Sequence, residues 1–298
     1  MDDPPAALGV PIVAGRESVI ATFDLPYCLY LTDGVYAMNT AAGPVEVQLT
    51  KRWREREENF ENVEIQNDPI GQYRYTSVRM ALTLAPEDEA EVVVLATINR
   101  LVDVYRYVTG RAYLHPLQIS DLVDLVVERP SKHEGQVFFA FGGGGLGMAY
   151  PDDTGDVHRE VARLLDADDP IPLHAELLLT ARRLAIGGYT RQAVIDAVAA
   201  LEVFVEELLR ARLTAKGKPP ADVDTVLDRE RIGDLMKKPM EDAIGWRVSS
   251  DVALWADWLR VNGVRRGATH RGAVVAPEAA VDAVDVVERV IAAVIGNS

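Results

Sequence analysis

The sequence predicts an α+β chain in two parts. A mixed α+β domain is expected over residues 1–150, a connector over 151–172, and an all-α helical bundle over 173–298. Three observations predict it. The length of 298 residues suits two domains of about 100–200 residues each. The first half is dominated by alternating, β-branched and aromatic runs, and the second by long apolar stripes at three-four spacing. Hydrophobic residues make up 48% of the chain, enough to fill real cores and to exclude a disordered polymer.

The elements run in order. "SVIATFDLPYCLYLTDGVYAM" (18–38) reads as strand, with Asp33-Gly34 as a turn signal inside it. "PVEVQLTKRW" (44–53) alternates like a half-buried strand. "YRYTSVRMALTL" (73–84) and "GQVFFAFGGG" (135–144) are two further strands. A helix over 86–110 opens on Pro86 and three acids, which suit the positive end of a helix dipole. Val94, Ile98, Leu101, Val102 and Tyr105 form its apolar stripe, and Gly110 ends it. The acid-rich, proline-containing stretch 151–172 reads as a connector with one short helix.

Helices then succeed one another. The first spans 173–188. The second spans 189–217, with Thr190 as N-cap, Gly217 as stop, and Val194, Ala197, Val198, Leu201, Val205, Leu208 and Leu209 in one stripe. A shorter helix over 229–238 is closed by Pro239. A helix over 249–263 starts on a serine cap and carries Leu254, Trp255, Trp258 and Val261 on one side. The last, 276–296, begins with Pro277 in its first turn. Four main helices at these spacings predict an antiparallel bundle.

Composition narrows the function. Net charge is -15, which disfavours extended nonspecific DNA binding but leaves room for nucleic acid at a small, locally positive site. No apolar run reaches the ~18 residues of a membrane span, and "MDDPPAALGVP" lacks the features of a signal peptide. Cys28 is the sole cysteine, so no intramolecular disulfide and no cysteine zinc site can form. A cytoplasmic protein with no membrane contact is expected. The histidines outside the C-terminal segment have no ligand spacing. "HRE" at 158–160 resembles half of a zinc-deaminase motif, but the paired cysteines are missing. No metal and no cofactor is expected. "FGGGGLG" (141–147) matches Gly-x-Gly-x-x-Gly, yet the next residues, "MAYPDDTGD", are not helical, so a turn or close backbone crossing is the better reading than a nucleotide site. "KRWREREENFENVE" (51–64) reads as a solvated strand edge or loop. Trp255 and Trp258 read as core or dimer contacts.

One segment breaks the acidic pattern. From Trp258 to Ala276 there is no Asp or Glu, while Arg260, Arg265, Arg266 and Arg271 fall inside that window. At its centre lies "VRRGATHRG" (264–272), with His270 among the arginines.

A long helix containing "AVIDAVAALEVFVEELL", a variable insert, a helix running into Arg-x4-His, and a closing amphipathic helix together resemble the HEPN superfamily, especially its Apea-like bacterial branch. The "AxxALE" run maps to Ala197–Glu202, and the Arg-x4-His signature to Arg265 and His270. The resemblance covers about 173–296. It implies a HEPN-like helical bundle that dimerises with two motifs facing each other. It also implies a metal-independent endoribonuclease of prokaryotic phage defence or a toxin system. Some members of the family are non-catalytic dimerisation or ligand-binding modules, and that is the alternative reading. The family commonly has Asn or another small polar residue after the motif arginine; here it is Arg266, which would add a phosphate contact.

The chemistry suits RNA. Its own 2′-OH can attack the adjacent phosphorus, given one group to move protons and one cation to stabilise the phosphorane. Histidine suits the first task and arginine the second. His270 and Arg265 are therefore the candidate catalytic residues. Arg266, Arg271 and Arg260 are candidate substrate contacts, and the resemblance gives Glu202 an orienting role. The opposing reading makes the segment a solvated loop that caps helix termini. The N-terminal domain is expected to sense a trigger, recruit a protein partner or restrain the nuclease. That the first half is itself an enzyme and the bundle an accessory is the remotest reading, since the first half shows no catalytic constellation.

Overall fold

Alternating burial in the first half resolves into one antiparallel sheet. The computed structural model describes residues 15–40, 43–55, 72–85, 88–129, 134–138 and 154–298. The described strands are β1 (Glu17–Asp24), β2 (Gly34–Thr40), β3 (Gly43–Glu55), β4 (Gln72–Leu84), β5 (Val123–Arg129) and β6 (Glu134–Phe138). Their order is β2-β3-β4-β1-β5-β6. The expected mixed α+β half and the helical C-terminal half are both present. By chain contacts the molecule divides into two units, Met1–Thr109 with Leu114–Pro170, and Gly110–Tyr113 with Ile171–Ser298.

In the first unit one face of the sheet is apolar, as a period of two requires. Val19, Ala21 and Phe23 of β1, Tyr36 and Met38 of β2, Val45, Val47 and Leu49 of β3, and Val78 and Met80 of β4 are all buried. Helix α1 (Ala90–Thr109) buries Val94, Ile98, Leu101, Val102 and Tyr105, the stripe anticipated from spacing, and Gly110 leaves it at φ +66. The helix starts at Ala90; Pro86, expected to open it, lies outside the described residues.

The stretch 18–38 is not one strand. β1 stops at Asp24, and Leu25 to Leu31 run as buried, non-regular chain. Thr76 organises it: its Oγ1 accepts from the Leu29 amide at 2.8 Å, its carbonyl accepts from the Leu25 amide at 2.8 Å, and its own amide donates to the Tyr27 carbonyl at 3.2 Å. Buried backbone groups outside a ladder need such partners. Asp33-Gly34 accordingly opens β2 instead of turning a hairpin, and Asp33 Oδ1 accepts from the Lys51 amide at 2.9 Å. Lys51 to Glu55 extend β3 past the end of β2, whose pairing stops at Leu49. Among the described strands they pair with β4 alone, so this stretch is a strand edge as expected; 56–64 lie outside the described residues.

β5 is a strand not anticipated from the sequence. Its pairing with β1 holds one extra residue between Val123 and Val126, and Asp124 takes φ 54 there, a bulge conformation that Asp tolerates. Burial still alternates through it, with Leu125 and Val127 buried and Asp124 and Glu128 exposed. The glycine run 141–147 lies outside the described residues.

Within the segment expected as connector, helix α2 (Gly155–Ala167) packs on β2 and α1. Tyr36 Oη lies 2.6 Å from His158 Nδ1, and Asn39 Nδ2 donates to the Asp166 carbonyl at 2.7 Å.

The second unit holds α3 (Leu173–Ile186), α4 (Thr190–Ala215), α5 (Pro220–Arg229), α6 (Ile232–Leu235), α7 (Lys238–Ile244), α8 (Val252–Arg271) and α9 (Pro277–Gly296). α4 packs against α3, α8 and α9, and Ala197, Val198, Leu201 and Val205 fill the core with Trp258, Val287 and Val290. In place of the single helix expected over 229–238 stands the four-residue α6, between the end of α5 at Arg229 and the start of α7 at Lys238. Pro239 stands in the first turn of α7, where its missing N–H costs nothing, and so begins a helix instead of closing one. Among the described residues no helix is long and apolar enough to cross a membrane.

Candidate functional site: the C-terminal end of helix α8

Helix α8 starts on Asp251, whose carboxylate accepts from the Leu254 amide at 3.0 Å. The cap is therefore Asp251 and not a serine; Val248 to Ser250 form a 3-10 turn ahead of it. The helix does not end at Gly263. It runs through Gly263 and Gly267 to Arg271, where Gly272 turns left-handed at φ 63 and the Ala273 amide returns to the Gly267 carbonyl at 3.2 Å. The segment 264–272 is thus the last two turns of a helix and its stop, not a loop. The chain just after it is pinned to α4: Thr190 Oγ1 donates to the Val275 carbonyl at 2.8 Å. Thr190 serves that tie, and Tyr189 occupies the N-cap position of α4.

Tertiary packing carries α8 past two glycines that each cost about 1 kcal/mol of helix propensity. Leu254, Trp258, Val261 and Ala268 face the core, and Trp258 is fully buried. They recur at steps of four and three, and Arg265 stands on that same stripe, between Val261 and Ala268. It is half-buried. Its Nη2 lies 3.8 Å from Glu202 Oε1 on α4. Burial pushes the Glu202 carboxyl above its ordinary value; Arg265 opposes that shift and Glu206 adds to it.

The opposite stripe is solvent-facing. Val252, Ala256, Leu259, Gly263, Arg266 and His270 are all exposed and recur at steps of four and three. The first three turns of this stripe are apolar or small; the last two carry the charge. Arg266 and His270, four residues apart, are neighbours on it. Arg271 is exposed at the helix end.

Arg260 has another occupation. It pairs with Asp282 of α9 and, at 3.2 Å, with Asp257 one turn back. Arg289 joins the same Asp257 at 2.8 Å. The two carboxylates hold Arg260 above the usual arginine range, and the two arginines hold Asp257 below the usual carboxylate range. Local sequence gives no sign of this network, because Asp282 and Arg289 lie a helix away along the chain.

Of the six candidate residues, then, Arg266, His270 and Arg271 end α8 in solvent, Arg265 and Glu202 face each other at the bundle edge, and Arg260 is bound within an ion-pair network. Among the described residues no group of His, Cys, Asp and Glu is arranged to hold a metal ion. Comparison with known protein families, with curated proteins and with solved structures returns no match to this chain.

Proposed function

We propose that this chain is a HEPN-type protein whose C-terminal bundle is a metal-independent endoribonuclease, in a prokaryotic phage-defence or toxin setting. The observation that carries the reading is the exposed stripe of α8. Arg266 and His270 end it in solvent, next to a surface of Val252, Ala256, Leu259 and Gly263 that suits close approach of a second helix. Small residues allow two helices to come near, and the steps of four and three suit a helix–helix seam. A homodimer in which the two α8 helices pair in parallel along this stripe would bring two His270 side chains into one composite site.

In such a site one His270 takes the proton of the RNA 2′-OH as that oxygen bonds to phosphorus. The phosphorus–O5′ bond breaks, and a second, protonated His270 gives its proton to the leaving 5′ oxygen. The products are a 2′,3′-cyclic phosphate and a 5′-OH, and no metal takes part. An arginine of the same two turns stabilises charge on the phosphorane oxygens. The N-terminal α+β unit would sense a trigger, receive a protein partner or restrain the nuclease.

The test is cleavage of RNA in EDTA, with cyclic phosphate ends, lost in His270→Ala. Toxicity of the wild type in cells, absent in His270→Ala, is the companion assay for a nuclease that needs a trigger. Intact RNA together with equal growth of both strains would leave the second reading, a non-catalytic HEPN dimerisation or ligand-binding module. The engagement of Arg260 and Arg265 by carboxylates favours that second reading.

A further inference from the structure

We infer that Arg266, and not Arg265, is the cation that meets the RNA phosphate beside His270, and that Arg265 is a positioning residue holding α8 to α4 through Glu202. The inference rests on the RNA-directed reading above and assigns its ligand contact.

Helical phase is the first argument. Residues four apart differ by about 40° around a helix and by about 6 Å along it, whereas residues five apart differ by about 140°. Arg266 and His270 therefore present to one phosphate from one face. Arg265 and His270 point to different sides of α8. Burial agrees with phase: Arg266 and His270 are exposed, and Arg265 lies on the stripe of Leu254, Trp258, Val261 and Ala268.

Charge is the second argument. Arg265 faces Glu202 at 3.8 Å, and Glu206 lies close enough to Glu202 to raise its pKa. An incoming phosphate near Arg265 would meet both carboxylates. Among the described residues no carboxylate pairs with Arg266, so its guanidinium is available for a bidentate phosphate contact. A cation beside a half-buried carboxylate has a clear structural role instead, because removing it leaves that carboxylate buried and uncompensated.

The experiment uses the full chain and a short single-stranded RNA with every 2′-OH methylated, so that binding is read without cleavage. Arg266→Gln is expected to weaken binding about tenfold or more, the worth of one charge-assisted contact. It should also reduce the slope of log affinity against log salt by about 0.7, one phosphate on a single strand. Arg265→Gln is expected to keep affinity within about threefold, a few tenths of the energy of one such contact. It should lower Tm, and adding Glu202→Gln to it should recover that Tm. Equal or greater loss of binding in Arg265→Gln than in Arg266→Gln overturns the assignment, as does a wild-type chain that binds no RNA. Binding with the expected pattern, but no cut in unmethylated RNA, upholds the assignment and refutes the nuclease reading alone.

Discussion

Arg265 of α8 and Glu202 of α4 face each other at 3.8 Å across the edge of the helical unit, and burial acts on the carboxylate more strongly than the cation offsets. Its pKa stands above the ordinary value of 4.5 despite the nearby cation. An acid whose folded pKa is raised binds its proton more tightly in the native state. Stability therefore falls as pH rises from about 4.5 through the folded pKa. Below that window both states are protonated and the cost is absent. Glu202→Gln should flatten this fall, so that the Tm of the variant gains on that of the wild type between pH 4 and pH 7. Parallel curves, or a wild type that gains with pH, would refute the sign.

Gly263 lies on the exposed stripe of α8, and a methyl group there would meet nothing within 4 Å. Gly263→Ala should stabilise the folded chain by about 0.5–1 kcal/mol, from reduced backbone entropy in the unfolded state. Gly263→Leu tests the seam: a bulky residue should convert a sedimenting dimer to monomer while leaving the helical signal intact. A wild type that sediments as a monomer at tens of micromolar would sink the pairing.

Trp258 is fully buried, whereas Trp255 is half-buried beside Lys237, whose Nζ lies 5.7 Å from its ring centroid. Trp258→Ala should cost about 3–5 kcal/mol in urea unfolding. Trp255→Ala should cost clearly less. A reversed order would show that the core of this unit is placed elsewhere than described.

Asp251 caps α8 through the Leu254 amide. Asp251→Ala should lower stability by about 1 kcal/mol, with Asp251→Asn recovering most of it. Since the capping bond is far from His270 along the helix, RNA binding should track stability and show no separate loss. A selective loss of binding in a fully folded Asp251→Ala would contradict the placement of the site at the other end.

How much of this was legible from the residues varies by element. The α1 stripe of Val94, Ile98, Leu101, Val102 and Tyr105 and the α4 stripe around Leu201 could be read directly, because period 3.6 is written in apolar spacing. β5 was legible and was missed: Leu125 and Val127 are buried and Asp124 and Glu128 exposed in regular alternation, whereas the bulge at Asp124, a matter of pairing with β1, was not legible. The stop expected at Gly263 was wrong because helix propensity is local, while α8 is held by Trp258, Val261 and Ala268 against the core. Continuing the Leu254–Trp258–Val261 phase by one step places Arg265 inward, so that signal was available.

By itself the sequence determined the class of each half, the apolar faces of its long helices, and the concentration of positive charge at residues 258–276. These derive from composition and period, which are properties of neighbours along the chain. Only the tertiary structure decided which cations remain free. Asp282 and Asp257 engage Arg260, Glu202 faces Arg265, and Arg266 with His270 is left in solvent. Ion pairing depends on distances between helices that lie tens of residues apart in sequence, and helix packing sets those distances.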